Sequence, residues 1–194
     1  MNEKDIYQFY NDRVKIVYCE IEAKNNTLPV ELLFEIHSAF DHLKRIYIEK
    51  ENEDECCKKA YSHLKRGLLD AFKLKLKYFN DDYNHLINKK ADLRIIDSGT
   101  YLTDLLKDHK VLVEKAKEAR LAESKTDVEE SFSAWCEVSE LIDLFEKKYF
   151  DSEKIKWAEK QSFFHFNANF WLGVLAGIIS SVIVTVVFNC FLKG

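Results

Sequence analysis

The sequence predicts an all-α fold: a cytosolic helical bundle with long helices and one C-terminal transmembrane helix. Three observations carry this. One proline and five glycines in 194 residues leave few places where a helix must break. Apolar residues recur at three- and four-residue spacing rather than in alternation. From Phe170 to Leu192 there is no Asp, Glu, Lys, Arg or His. A globular helix of that length normally keeps a charged face, whereas this run, at ~1.5 Å per residue, reaches across a ~30 Å hydrocarbon layer. The expected organisation is a cytosolic helical domain over 1–150, a juxtamembrane aromatic connector over 151–169, the transmembrane helix over 170–192 and a short far-side tail at 193–194.

The elements follow from periodicity and punctuation. Ile6, Tyr10, Val14, Val17 and Ile21 mark a first helix that ends in the turn-forming pair Asn25-Asn26. Thr27 is the expected cap of a second, with Pro29 in its first turn and an apolar face of Leu33, Ile36 or His37, Phe40, Leu43 and Tyr47. A third pattern runs through Cys57, Tyr61, Leu64, Leu68, Phe72, Phe79, Tyr83 and Leu86, with an interruption anticipated at Asn80-Asp81-Asp82 and a long projecting arm as its shape. After Ser98-Gly99, Leu102, Leu106, His109, Val113 and Ala116 give a fourth. The fifth starts near Thr126-Asp127 and carries Val128, Phe132, Trp135, Leu141 or Ile142, Phe145 and Tyr149. Between Trp157 and Trp171, the rings of Phe163, Phe164, Phe166 and Phe170 suit the headgroup zone of a bilayer.

Lys154, Lys156 and Lys160 precede the span and only Lys193 follows it, so the positive-inside tendency keeps the N-terminal domain in the cytoplasm. The first residues lack the apolar stretch of a secretory signal, and the anchor is expected to direct the chain to its membrane. The five cysteines form no CxxC pair and read as reduced thiols.

Two stretches stand out as sites. Between Lys58 and Lys77, seven bases face one acid, Asp70, in a chain of net charge −4. Lys59, Arg66, Lys73 and Lys77 fall on one side of a helix, a phosphate-facing stripe for a short oligonucleotide or nucleotide, with Tyr61, Tyr78 and Phe79 at hand for stacking and His63 nearby. A solvated face balanced by Glu118, Glu123, Glu129 or Glu130 is the competing reading. In the span, Gly173, Gly177, Ser181, Thr185 and Asn189 make a small and polar stripe. It is either dry packing surface or the lining of a narrow aqueous path in a homo-oligomer.

Enzyme chemistry is not expected. No zinc pattern, GxxxxGK[ST] loop, GxGxxG turn or GxSxG elbow occurs, so neither metal nor cofactor is anticipated. Helical nucleases of the HEPN type place a histidine a few residues after an arginine. Here His42 precedes Arg45 and His63 precedes Arg66, the reverse order.

A charged helical domain followed by a polar-striped membrane helix resembles the small bacterial anti-phage membrane effectors, most of all the membrane effector of the Hailong system. The resemblance lies in this layout and carries no functional residue over. It implies an oligomeric ion channel in the bacterial inner membrane, controlled by DNA oligomers from a partner nucleotidyltransferase. The alternative is a tail-anchored helical interaction or scaffold protein without channel activity.

Overall fold

The computed structural model of the chain describes residues 1–89, 91–124 and 128–192, with the side chains of all of these except 128, 152, 163–169 and 189–192. The chain is 90% helical, and there is no strand among the described residues. Among the described residues, seven α-helices follow in order: α1 Glu3–Phe9, α2 Lys15–Asn25, α3 Val30–Ile48, α4 Glu53–Ile87, α5 Thr100–Glu123, α6 Val128–Tyr149 and α7 Ser152–Leu192. They divide into two compact units. One comprises Met1–Ile87 and Lys107–Lys148; the other comprises Asn88–Leu106 and the chain from Tyr149 onward.

In the first unit, Asn2 and Asp5 form a reciprocal capping box that starts α1. A π turn, Tyr10–Val14, links α1 to α2 without breaking the rod, and Ile6, Val14, Val17 and Ile21 are all buried, as their spacing predicts. Asn26 ends α2 in the left-handed conformation, φ 49°. Thr27 does not cap α3. Its hydroxyl donates back to the Asn25 carbonyl at 3.0 Å, while Pro29 holds the N-cap position. Proline disfavours helical geometry in the residue before it, so the helix cannot begin as early as Thr27 would require.

The core face of α3 differs from the predicted one. Leu32, Ala39 and Leu43 are buried, whereas Leu33, Phe40 and Tyr47 are exposed. The reason is a close approach to α4. A Cβ on Gly67 would lie 2.8 Å from both the Glu35 Cβ and the Leu32 Cδ1, so α3 rests on bare α4 backbone there. Helix α4 is unbroken through Asn80-Asp81-Asp82 and does not project. Cys56, Leu64, Leu68, Phe72, Phe79 and Leu86 bury it along its length. Packing overrides the turn chemistry of three polar residues that could also end a helix.

On α5 the buried stripe is Tyr101, Leu105, Leu112, Ala116, Ala119 and Ala122, one position before the predicted Leu102, Leu106 and Val113. On α6 it is Trp135, Val138, Ile142, Phe145 and Tyr149, so Ile142 rather than Leu141 faces inward. The predicted start at Thr126-Asp127 lies outside the described residues. Where α4, α5 and α6 meet in the first unit, Tyr83 and His109 stack with ring centroids 3.6 Å apart and planes 2° from parallel, and Phe79 and Phe145 meet edge-on at 5.1 Å. Burial lowers the His109 pKa below 6.5 and raises that of Tyr83 above 10.0.

In the second unit, a short 3-10 stretch, Leu93–Gly99, packs against the beginning of α7 and buries Leu93 and Ile96. Asp97, Ser98 and Gly99 all have positive φ, 48°, 55° and 92°, and form the punctuation expected at Ser98-Gly99. Lys154 reaches Asp97 at 2.8 Å, Lys89 reaches Glu159 at 3.3 Å, and Ser162 accepts from the Asp92 amide at 2.8 Å. Ile155 and Ala158 are buried.

Two measurements check this packing. Gly67→Ala gains ~1 kcal/mol in helix propensity but forces overpacking worth about 1–3 kcal/mol, so the denaturant midpoint should fall and Gly67→Val should lower it further. For His109, the folded pKa lies below the unfolded 6.5. The unfolded chain therefore binds more protons between the two values. Stability is complete above 6.5 and is lost as pH falls through it toward the depressed folded value. His109→Phe should flatten that slope in melts recorded from pH 7.5 to 5.

Candidate functional site

Because α4 is one unbroken helix, Lys59, Arg66, Lys73 and Lys77 lie along one of its sides, and all four reach solvent. The surroundings divide the stripe in two. Lys73 is compensated by Asp70 at 3.2 Å and Glu123 at 2.6 Å, one of the acids that the competing reading named. Lys59 and Lys77 are exposed, with no salt-bridge partner among the described residues. Arg66, 58% exposed at its side chain, approaches Glu35 on α3 at 3.5 Å.

Two other lysines of the same stretch turn inward. Lys65 is only 5% exposed, pairs with Glu129, and lies 4.6 Å from the Phe132 ring centroid and 5.5 Å from that of Tyr61. Lys75 is 9% exposed, with its ammonium 2.6 Å from Asp143, 3.1 Å from the Ser139 hydroxyl and 3.3 Å from Glu20. Lys75 also lines a cleft of about 430 Å³ with Glu20, Lys24, Tyr78, Asp143 and Glu146. Lys24 is held there by Glu146 and by Asp82, the latter at 3.2 Å. Burial pulls the Lys24 pKa down, but these carboxylates outweigh it and the net shift is upward. Each ammonium in the cleft is thus matched by carboxylates of the fold.

The upstream half of the stripe has different neighbours. Helices α3 and α4 are joined by a few residues and run antiparallel, which sets His42 on α3 against His63 on α4. Their rings stack at 5.1 Å with planes 27° apart. Nδ1 of His63 is 2.6 Å from a Glu35 oxygen. Nδ1 of His42 is buried without a hydrogen-bond partner. The His42 pKa is lowered, first by burial and then by the nearby positive charge of His63, Arg45 and Lys59; Asp41 opposes the shift. Arg45 binds Asp41 at 3.0 Å and approaches Glu51 at 3.9 Å, and Lys44 and Arg45 hold the Asp41 carboxyl at about 2. The sequence singled out His42, Arg45, His63 and Arg66 as reversed pairs. The helix pairing brings them into one groove with Lys59 and Glu35.

Cys56 and Cys57 are buried, and burial raises both thiol pKa values. No group of three or more metal-ligating side chains occurs among the described residues.

The span lies in α7, in which Phe170–Phe188 is long and apolar enough to cross a membrane and is exposed throughout. Gly173 and Gly177 are open, with no other heavy atom within 4 Å of a Cβ built on either. Thr185 donates its hydroxyl to the Ser181 carbonyl at 2.8 Å, so one polar group of the stripe is satisfied within its own helix. The side chain of Asn189, and those of Phe163, Phe164 and Phe166 in the aromatic connector, lie outside the described residues.

No protein-family model, curated protein or solved structure matches this chain.

The division of the stripe has a direct readout. Reversing Lys59 and Arg66 to Glu should weaken binding of a short single-stranded oligonucleotide by at least about tenfold at 50 mM salt, against about threefold or less for Lys73→Glu, whose charge is already compensated. Fluorescence anisotropy at matched salt, with helical content checked by circular dichroism, measures the difference.

Proposed function

We propose that this chain is the membrane effector of a bacterial anti-phage defence system: a homo-oligomeric ion channel or pore in the inner membrane, gated by a short oligonucleotide or nucleotide bound to its cytoplasmic domain. A partner nucleotidyltransferase supplies the ligand. The chain is not an enzyme in this reading.

The observation that carries the proposal is the continuity of α7, which begins with buried turns at Ile155 and Ala158 and runs as one helix into an exposed apolar span. A helix this exposed needs lipid or other helices around it. Its open Gly173 and Gly177 allow close approach of neighbouring copies. On the other unit, Lys59 and Arg66 supply positive charge for phosphates, and Lys77 extends the stripe. Ser181, Thr185 and Asn189 are the residues proposed to line the path, while Ile179, Ile183 and Val187 face away.

A second reading, an interaction or scaffold protein anchored by the same helix, is favoured by one contact. The Thr185 hydroxyl already has the Ser181 carbonyl as its partner, so it needs no water. The stripe is then dry packing surface.

Current across a planar bilayer containing the purified chain, with and without short DNA oligomers, separates the two. The channel reading expects current that changes at least about threefold on adding oligomer and that falls at least about tenfold in Asn189→Leu but little in Ile183→Leu. The chain cut after about Phe163 should partition into the soluble fraction and carry none. Silence of the intact chain under both conditions leaves the scaffold.

A further inference from the structure

The groove between α3 and α4 has more than loose positive charge. Lys59, His63 and Arg66 fall at i, i+4 and i+7 on α4, and Glu35, His42 and Arg45 at i, i+7 and i+10 on α3, so each set shares one helix side. Glu35 occupies Nδ1 of His63 at 2.6 Å, which fixes the ring and leaves Nε2, an acceptor in the neutral ring and a donor in the protonated one, to face a ligand. The His42 Nδ1 is buried without a partner, so its Nε2 is likewise the nitrogen that remains. The side chain of Arg66 is 58% exposed, and Lys59 is exposed about two turns before it on the same side of α4.

Charge bookkeeping names the ligand. Lys44 and Arg45 are matched by Asp41 and Glu51 on their own side of the groove, and Glu35 offsets one of Lys59 and Arg66. With both histidines neutral the groove carries about one net positive charge; a proton on each imidazole would raise it to about three. A phosphodiester carries one negative charge and presents two free oxygens. A terminal phosphate monoester carries up to two, presents three strong acceptors and has a second pKa of ~6, close to that of histidine. Protonated together, the two stacked rings would be like charges with centroids 5.1 Å apart. A dianion held at the two Nε2 atoms would offset that repulsion.

We infer that His42 and His63, with Lys59 and Arg66, form a proton-linked seat for a terminal phosphate monoester. The inference rests on the proposed oligonucleotide reading and deepens it: the groove takes the phosphorylated end of the strand, and internal phosphates lie along the remainder of the α4 stripe toward Lys77. Binding draws protons onto the histidine pair. Affinity therefore rises as pH falls from 8 toward 6, while the monoester keeps a large part of its second charge.

The test uses the full-length chain in detergent and three probes, a 5′-phosphorylated DNA trinucleotide, its 5′-hydroxyl counterpart and inorganic phosphate. The phosphorylated probe should bind at least about tenfold tighter at pH 6 than at pH 8, the 5′-hydroxyl probe about equally at both. Calorimetry in two buffers of different ionisation enthalpy should report uptake of about one proton for the phosphorylated trinucleotide and none for its 5′-hydroxyl counterpart. His42→Gln and His63→Gln, each with unchanged circular dichroism and melting, should abolish the pH dependence and the proton uptake while leaving the 5′-hydroxyl affinity in place. Equal binding of the two trinucleotides at pH 6 overturns the seat and leaves the oligonucleotide reading standing. Binding of inorganic phosphate with proton uptake, but of neither trinucleotide, supports the seat and overturns the oligonucleotide reading. Unchanged pH dependence in both histidine variants overturns the assignment to this pair.

Discussion

Helices α3 and α4 approach closely at Gly67, and the chemistry of the groove depends on it. A side chain there would collide with Leu32 and with the Cβ of Glu35, so only glycine lets α3 settle this deeply on α4. The same approach brings the Glu35 carboxylate within reach of both His63 and Arg66. It also sets His42 and His63 ring to ring. Packing and electrostatics are one constraint here: moving α3 outward by a methyl group would loosen a hydrogen bond, an ion pair and a ring stack together.

The first unit also fixes α6 through buried ammonium groups. Taking an ammonium from water costs several kcal/mol, and only close oxygens or aromatic faces offset it. Lys75 has two carboxylates and a hydroxyl, and Lys65 has Glu129 and two aromatic rings. The acids are 47% exposed or more, so solvent screens them and the net contribution is modest. The value of these pairs lies in register. An ammonium that must meet Asp143, Glu20 and Ser139 at once fixes the positions of α2, α4 and α6 more narrowly than apolar contacts do, because a slip of one turn would leave it buried and unpaired.

This division of labour explains what was legible in the sequence. The all-α class, the apolar span and most of the buried positions of α1, α2 and α4 follow from spacing alone, while Tyr10, Tyr61 and Tyr83 of the same stripes are half-buried. Helices α3 and α5, apart from Leu43 and Ala116, were read one position off for a common reason. Leu32-Leu33, Leu105-Leu106 and Leu112-Val113 are apolar pairs in which either member can complete a stripe. Small residues decide between them: Ala39, and Ala116, Ala119 and Ala122, lie on the faces that approach a neighbour closely. The shared side of Lys59, Arg66, Lys73 and Lys77 was legible from a single helix. The burial of Lys65 and Lys75 was not, because their partners Glu129 and Asp143 come from α6, far along the chain. Nor was the histidine groove, since His42 and His63 meet only once the register of α3 on α4 is set.

Within the second unit, helix continuity limits where motion can occur. Sharp bends arise at proline, at glycine or where the hydrogen-bond ladder is interrupted. From Ser152 to Leu172, α7 contains neither proline nor glycine, and Ile155 and Ala158 pack its first turns against the Leu93–Gly99 stretch. Its first glycines, Gly173 and Gly177, stand at the entrance to the span, where nothing else crowds them. A displacement at the beginning of α7 is therefore carried along a stiff rod of about 30 Å to that point before the helix has a residue at which to bend. In the proposed oligomer the two glycines that would let neighbouring copies approach are thus also the first positions at which such a displacement could change their crossing.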